Sequence, residues 1–228
     1  MKKWIFVLTI IFISILLYTH NVPKTLTTED KETIEAFLKR NKLKENKAKG
    51  FEDQMEQIKT IQRNLLSELN CLTSIPENQS REPKDLFENG CGGCYDKSRT
   101  LEKIFQYLDY PTRHISIFKK EENTSKLKAF FTKAWPSHAA LEVKTDKGWL
   151  TVDPVFNWVA ETSNGDVMDM EEIQDEKNIE WKEPVPEEIA HHYNGQTFRI
   201  IGLYSRHGRF YKPFDFIPDF NLKELMTN

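Results

Sequence analysis

Residues 90–118 read GCGGCYDKSRTLEKIFQYLDYPTRHISIF, and the hydrophobic pattern changes within this stretch. Glycines at 90, 92 and 93 mark a loop, which the sequence extends back to Leu86. From Cys94 onward, Leu101, Ile104, Phe105 and Leu108 recur at i, i+3, i+4 and i+7, the spacing of one apolar stripe on a helix. Tyr110-Pro111 stops that helix, because the residue before a proline is pushed out of the helical region. Arg113 to Phe118 then alternates with period two, as a strand does. A cysteine therefore opens a helix that leads into a sheet.

Working downstream, SHAALEVK (137–144) and WLTVD (149–153) flank Thr145-Asp146-Lys147-Gly148, a hairpin with a turn glycine, and FRIIGLY (198–204) supplies a further strand. Residues 168–177 read as a short acidic helix or loop. Upstream, Thr28 can cap a helix carrying Ile34, Phe37 and Leu38, and after Gly50 a second stripe runs through Phe51, Met55, Ile58, Ile61, Leu65, Leu66 and Leu69. The polar, proline-containing residues 76–84 mark the handover. The expected class is α+β, helices first and then a mostly antiparallel sheet, divided into residues 1–22, a helical region 23–80 and a catalytic domain 81–228.

The chain has 228 residues, 39% hydrophobic and 29% charged, enough for one good-sized core. A net charge of -3 argues against electrostatic nucleic-acid binding, which shows as a basic excess. No fixed-period repeat, nucleotide fingerprint or calcium loop is visible, so neither a cofactor nor a metal is expected. Lys2 and Lys3 precede fifteen uncharged residues, 4–18, which read as the n- and h-regions of a targeting segment. The following THNVPKTL offers no small-x-small cleavage site and no cysteine for a lipid, which favours an uncleaved membrane anchor over a removed signal peptide. The body is then expected outside the cytoplasmic membrane, membrane-anchored or secreted; the basic run at 39–49 reads as a solvated helix face.

Three cysteines in an exported chain imply one disulfide and one remaining thiol. Cys94 is expected to be the free one, since unpaired N–H groups at a helix start stabilise a thiolate, leaving Cys71 and Cys91 to pair. A nucleophilic cysteine needs a base and a group that orients it. His138 stands at the start of the first hairpin strand and Asp153 at the end of the second, and antiparallel pairing brings those ends side by side. His207 and the His191-His192 pair lack such a partner, and alternation could turn His114 outward.

The segments GCGGCYDKSRTLEKIFQYLDYPTRHISIF, SHAALEV and GWLTVDP together resemble the transglutaminase-like superfamily of papain-related cysteine enzymes, over residues 90–158. The resemblance implies a papain-like core with Cys94 as nucleophile, His138 as general base and acid, and Asp153 as orienting carboxylate. It also implies acyl transfer on a peptide, protein or envelope polymer, by hydrolysis or by transamidation. The oxyanion would be held by the Cys94 N–H and a second donor, for which Asn89 and Trp135 are candidates. Two other readings stay open. Cys91-Gly92-Gly93-Cys94 could exchange disulfides, although the βαβ setting of such motifs is missing. The aromatic C-terminus (Tyr204, Phe210, Tyr211, Phe214, Phe216, Phe220) with Arg206 and Arg209 could instead belong to an inactive module that binds a polymer. A zinc site on the C-x-x-C and His191-His192 is disfavoured, since adjacent histidines in extended backbone face opposite ways. Asn78 and Asn123 stand in N-x-S sequons.

Overall fold

A computed structural model describes the chain except residues 1, 77, 122–124, 126–127, 130–131, 133–135, 177, 194–195 and 209, so Asn123, Trp135 and Arg209 lie outside the described residues. Helices α1 (Lys2–Thr19), α2 (Thr28–Arg40), α3 (Phe51–Glu68), α4 (Pro83–Asn89) and α5 (Cys94–Tyr107) come first. Strands β1 (Thr112–Lys119), β2 (Ser137–Lys144) and β3 (Trp149–Val152) follow, then α6 (Met170–Asp175), α7 (Glu187–Ala190), β4 (Thr197–Ile201), β5 (Leu203–Ser205), β6 (Asp219–Phe220) and α8 (Leu222–Leu225). The main sheet is antiparallel in the order β3-β2-β1-β4, and β5 and β6 pair separately. The α+β class expected from the sequence is the one observed.

Local chemistry explains where three boundaries differ from the sequence reading. Thr27, not Thr28, caps α2: its hydroxyl accepts the Asp30 N–H while Asp30 accepts the Thr27 N–H. Residues 86–89, read as loop, belong to α4, because Pro83 stands in its first turn and Glu82 and Asp85 form a capping box. Residues 198–204 do not form one strand. Gly202 takes φ +75°, and its N–H turns back to the His114 carbonyl, so β5 leaves the main sheet to pair with β6.

α5 packs on β1 and β2, and its stripe of Leu101, Ile104, Phe105 and Leu108 joins Ile34, Phe37, Ile58, Ile61, Leu65, Leu141, Val143 and Leu150 in one core. The helices α2 and α3 thus share a core with the hairpin. The polar side of α5 is buried as well: every residue from Asp96 to Phe105 is buried. Most of the charge there is paired. Arg99 donates to Glu102 at 2.7 Å, to the Pro23 carbonyl at 2.7 Å and to Glu82 at 3.3 Å; Lys103 lies 2.5 Å from Asp30 and 2.7 Å from Glu82. Tyr204 Oη donates to Glu102 at 2.7 Å, and Lys24 bridges Glu102 and Glu224. Burial opposes the charge on Glu102, but Lys24 and Arg99 outweigh it and hold its pKa down at about 2.

α1 ends at Thr19, and the chain then joins the body: Val22 N–H donates to the Phe220 carbonyl at 2.7 Å, and His20 lies between Asp215 and Asp219. Its Trp4, Phe6 and Leu8 are 73%, 66% and 62% exposed, so it is no core helix, and among the described residues no helix is long and apolar enough to cross a membrane.

Removing one partner of a buried ion pair strands the other. Arg99→Met should therefore cost about 3–5 kcal/mol of folding free energy, read as a fall in the urea midpoint with little change in slope.

Candidate active site

Cys94 is the first residue of α5, and two glycines let the backbone reach it. A Cβ on Gly92 would stand 2.3 Å from Leu86 Cδ1, and one on Gly93 would stand 2.5 Å from Ser74 Oγ. Asp96 closes the turn, accepting the Gly93 N–H at 2.8 Å and the Ile75 N–H at 3.1 Å while Arg81 pairs with its other oxygen at 2.5 Å. Cys71 and Cys91 form a disulfide with Cα atoms 5.2 Å apart, and Cys94 is the free thiol. That pairing takes Cys91 away from the Cys91-Cys94 exchange reading and from the zinc reading. Cys94 opens onto a cleft of about 320 Å³ whose walls include Ser74, Tyr95, Ser137, Arg206 and Phe210.

The hairpin register sets the other two residues. His138 lies opposite Ile117 in β1, Leu141 lies opposite Val152, and Asp153 is the next residue after β3. His138 Nε2 is 2.7 Å from Asp153 Oδ2. The other carboxylate oxygen accepts the Val155 and Phe156 N–H groups at 2.7 and 2.8 Å, and Tyr193 Oη donates to Oδ2 at 2.8 Å. The Asp153-Pro154 turn read from the sequence is therefore also what aims the carboxylate. Gln62 of α3 donates its amide to the Asp153, Phe156 and Trp158 carbonyls at 2.7, 3.0 and 2.8 Å, which fixes the loop after β3. Nε2 is taken by Asp153, and Cys94 is near enough to His138 to help raise its pKa.

Electrostatics follow from this placement. Burial works against a charged His138, but Asp153 and then Cys94 outweigh it and raise its pKa to about 10, so the ring is an imidazolium at neutral pH. Asp153 is buried too, yet His138 and the two backbone N–H groups hold its pKa below the ordinary carboxylate value. His192 stacks on His138 with ring centroids 4.7 Å apart and planes 14° apart; burial and the neighbouring His138 push its pKa down to about 3, so it stays neutral.

The structure thus joins His138 to Asp153, places Cys94 near enough to act on the His138 charge, and adds Tyr193 and Gln62, which no local pattern marked, and His192, which the sequence reading set aside. His191 and His192 follow α7 in a turn, with rings 3.9 Å apart, and do not face opposite ways from a strand. His114 points inward: it is buried, stacked on Tyr204 at 4.4 Å, bonded to Ser98, and burial lowers its pKa to about 4. Asn89 is exposed and its amide donates to the Cys91 carbonyl at 2.7 Å, away from the cleft, so it does not supply the second oxyanion donor. Tyr204 and Phe210 are buried, as core wrapping requires, whereas Phe216 is exposed.

The remaining motif residues hold the register. Arg113 and Glu142 are cross-strand partners and form an ion pair; Glu142 also accepts the Met170 N–H at 2.8 Å, and the Arg113 guanidinium lies 4.4 Å from the Trp149 ring. The family profile described as the transglutaminase-like superfamily matches residues 41–154, and the chain belongs to that superfamily, whose members are typically cysteine-dependent enzymes. No curated protein matches the sequence. Among solved structures, the chain is similar to a proposed cysteine protease from Cytophaga hutchinsonii, at 14% identity and a TM-score of 0.41, over 65% of this chain and 49% of that one. It is also similar to a structure titled as a TGase, at 16% identity and a TM-score of 0.37, over 57% and 33%. A proposed protease from Parabacteroides distasonis matches at 15% identity and a TM-score of 0.35, over 54% and 26%. The chain covers half or less of the length of each of these structures.

Because the folded pKa of His138 lies above its unfolded value of 6.5, its stabilisation is complete below that value and is lost as pH rises through about 10. NMR of the imidazole nitrogens should show His138 protonated through neutral pH. Asp153→Asn should lower its pKa clearly, since the carboxylate is the larger of the two groups that oppose burial.

Proposed function

We propose that this protein is a cysteine-dependent acyl-transfer enzyme that cleaves or exchanges an amide through a thioester. The observation that carries the reading is the 2.7 Å contact between His138 and a fully buried Asp153, with Cys94 near enough to help raise the His138 pKa. A protonated imidazole beside a thiol is the pair partner that a thiolate nucleophile needs.

In this reaction the Cys94 thiolate attacks the carbonyl carbon, a C–S bond forms, and the carbonyl electron pair moves onto oxygen. Collapse breaks the C–N bond, and the departing amine takes the proton of His138, leaving a thioester and a neutral imidazole. Water, or an acceptor amine, then attacks the thioester carbonyl and gives a proton to His138; collapse breaks the C–S bond, releasing the acid or the new amide and regenerating the thiolate. Asp153 does not change protonation; held by Tyr193 and two backbone N–H groups, it keeps the ring oriented through both half-reactions. Hydrolysis and transamidation differ only in which nucleophile enters the second step.

The proposed substrate is a peptide, protein or envelope polymer, met outside the cytoplasmic membrane. The Cys71–Cys91 disulfide supports that compartment, since such bonds persist where the environment is oxidising. Helix α1 supports a membrane-engaging segment, because Trp4, Phe6, Leu8, Ile11 and Ile15 follow Lys2-Lys3 and are exposed.

Iodoacetamide, with labelled peptides mapped by mass, tests the nucleophile. Cys94 should label rapidly at pH 7 without reductant, and His138→Ala should slow labelling about tenfold or more, the order of a base's contribution. Equal rates in the two chains would leave an inactive binding module as the better reading. A membrane-impermeant maleimide applied to intact cells should reach Cys94; labelling only after lysis would overturn the assigned compartment.

A further inference from the structure

The reaction above needs two hydrogen-bond donors at the developing oxyanion, and with Asn89 turned away the second is unassigned. The segment that faces the start of α5 offers one. Residues 70–76 have no helix or strand, and Leu72 is 60% exposed, yet the segment is tied down at both ends. Cys71 is covalently bound to Cys91, three residues before the nucleophile, and the Ile75 N–H donates to Asp96, two residues after it. Arg81 reinforces the second tie through the same carboxylate. An exposed stretch that contributes one core side chain, Ile75, does not need this much fixing for packing.

Between the two ties stands Ser74. It lines the same cleft as Cys94, and its hydroxyl occupies the space that a side chain on Gly93 would take, 2.5 Å from that Cβ position. The absence of a side chain at 93 thus leaves the peptide entering Cys94 open on the side where Ser74 Oγ lies. We propose that Ser74 is a catalytic residue: its hydroxyl, together with the Cys94 backbone N–H, donates to the oxyanion formed when Cys94 attacks the acyl group. This rests on the acyl-transfer reading and deepens it. The two ties then have a purpose, since an oxyanion donor is effective only when it is held in place before the charge appears.

The test compares two reactions of Cys94 in the full chain. Acylation by p-nitrophenyl acetate passes through a tetrahedral oxyanion: the thiolate adds to the acetyl carbonyl, p-nitrophenolate leaves with the electron pair of the broken C–O bond, and an acetyl thioester remains. Alkylation by iodoacetamide displaces iodide directly and forms no oxyanion. The p-nitrophenolate burst is corrected with Cys94→Ala. Ser74→Ala should slow the acylation burst on the order of 10- to 100-fold and leave alkylation within about twofold, while Ser74→Thr, which keeps the hydroxyl, restores the burst. Acylation unchanged by Ser74→Ala would overturn the proposal. So would a parallel loss of both reactions, which would make Ser74 a support of the thiol and not an oxyanion donor. A wild-type chain whose Cys94 alkylates rapidly but gives no Cys94-dependent burst would remove the acyl-transfer reading itself, a distinct failure.

Discussion

Charge buried along α5 is the constraint on which the rest of the structure depends. Asp96, Lys97, Arg99, Glu102 and Lys103 all lie inside on a helix that also carries the principal apolar stripe. A buried ion that lacks a partner is costly, and Asp96, Arg99, Glu102 and Lys103 each draw in another part of the chain. Asp30 comes from α2, Glu82 from the start of α4, Lys24 and the Pro23 carbonyl from the segment after α1, and Glu224 and Tyr204 from the C-terminal part. One helix therefore fixes the ends of the chain relative to each other, and its first residue is Cys94.

The site inherits its geometry from that helix and from a hairpin register. His138 and Asp153 meet only while β2 and β3 pair as they do; a slip by one residue would turn either side chain to the other face. Arg113, Glu142 and Trp149 pin the far end of the same strands, so part of the sequence motif supplies the His138–Asp153 pair and part holds the pairing in place. Around that pair, Tyr193, Gln62 and His192 complete the surroundings of the imidazole and carboxylate.

Much of this was legible along the chain because it depends on local pattern. The helix opened by Cys94, the strand after Pro111, the hairpin around residues 145–148 and the pairing of Cys71 with Cys91 follow from hydrophobic period, proline and glycine placement, and cysteine arithmetic. His138 and Asp153 could be matched because they flank one turn, fifteen residues apart. Gln62 and Tyr193 lie 91 and 40 residues from Asp153, and nothing near them in the sequence announces that contact.

By itself, then, the sequence determined the class, the order of helices and strands, and that His138 and Asp153 meet at one end of a hairpin, since each of these is set by neighbours within a few turns. Tertiary structure alone decided that the polar face of α5 is buried and not solvated, that His114 points inward, that β5 leaves the main sheet at Gly202, and that residues 70–76 are pinned against the start of α5. Those outcomes depend on partners far along the chain. A periodicity identifies the apolar side of a helix, but whether its charged side meets water or a distant carboxylate depends on how the remaining segments close around it.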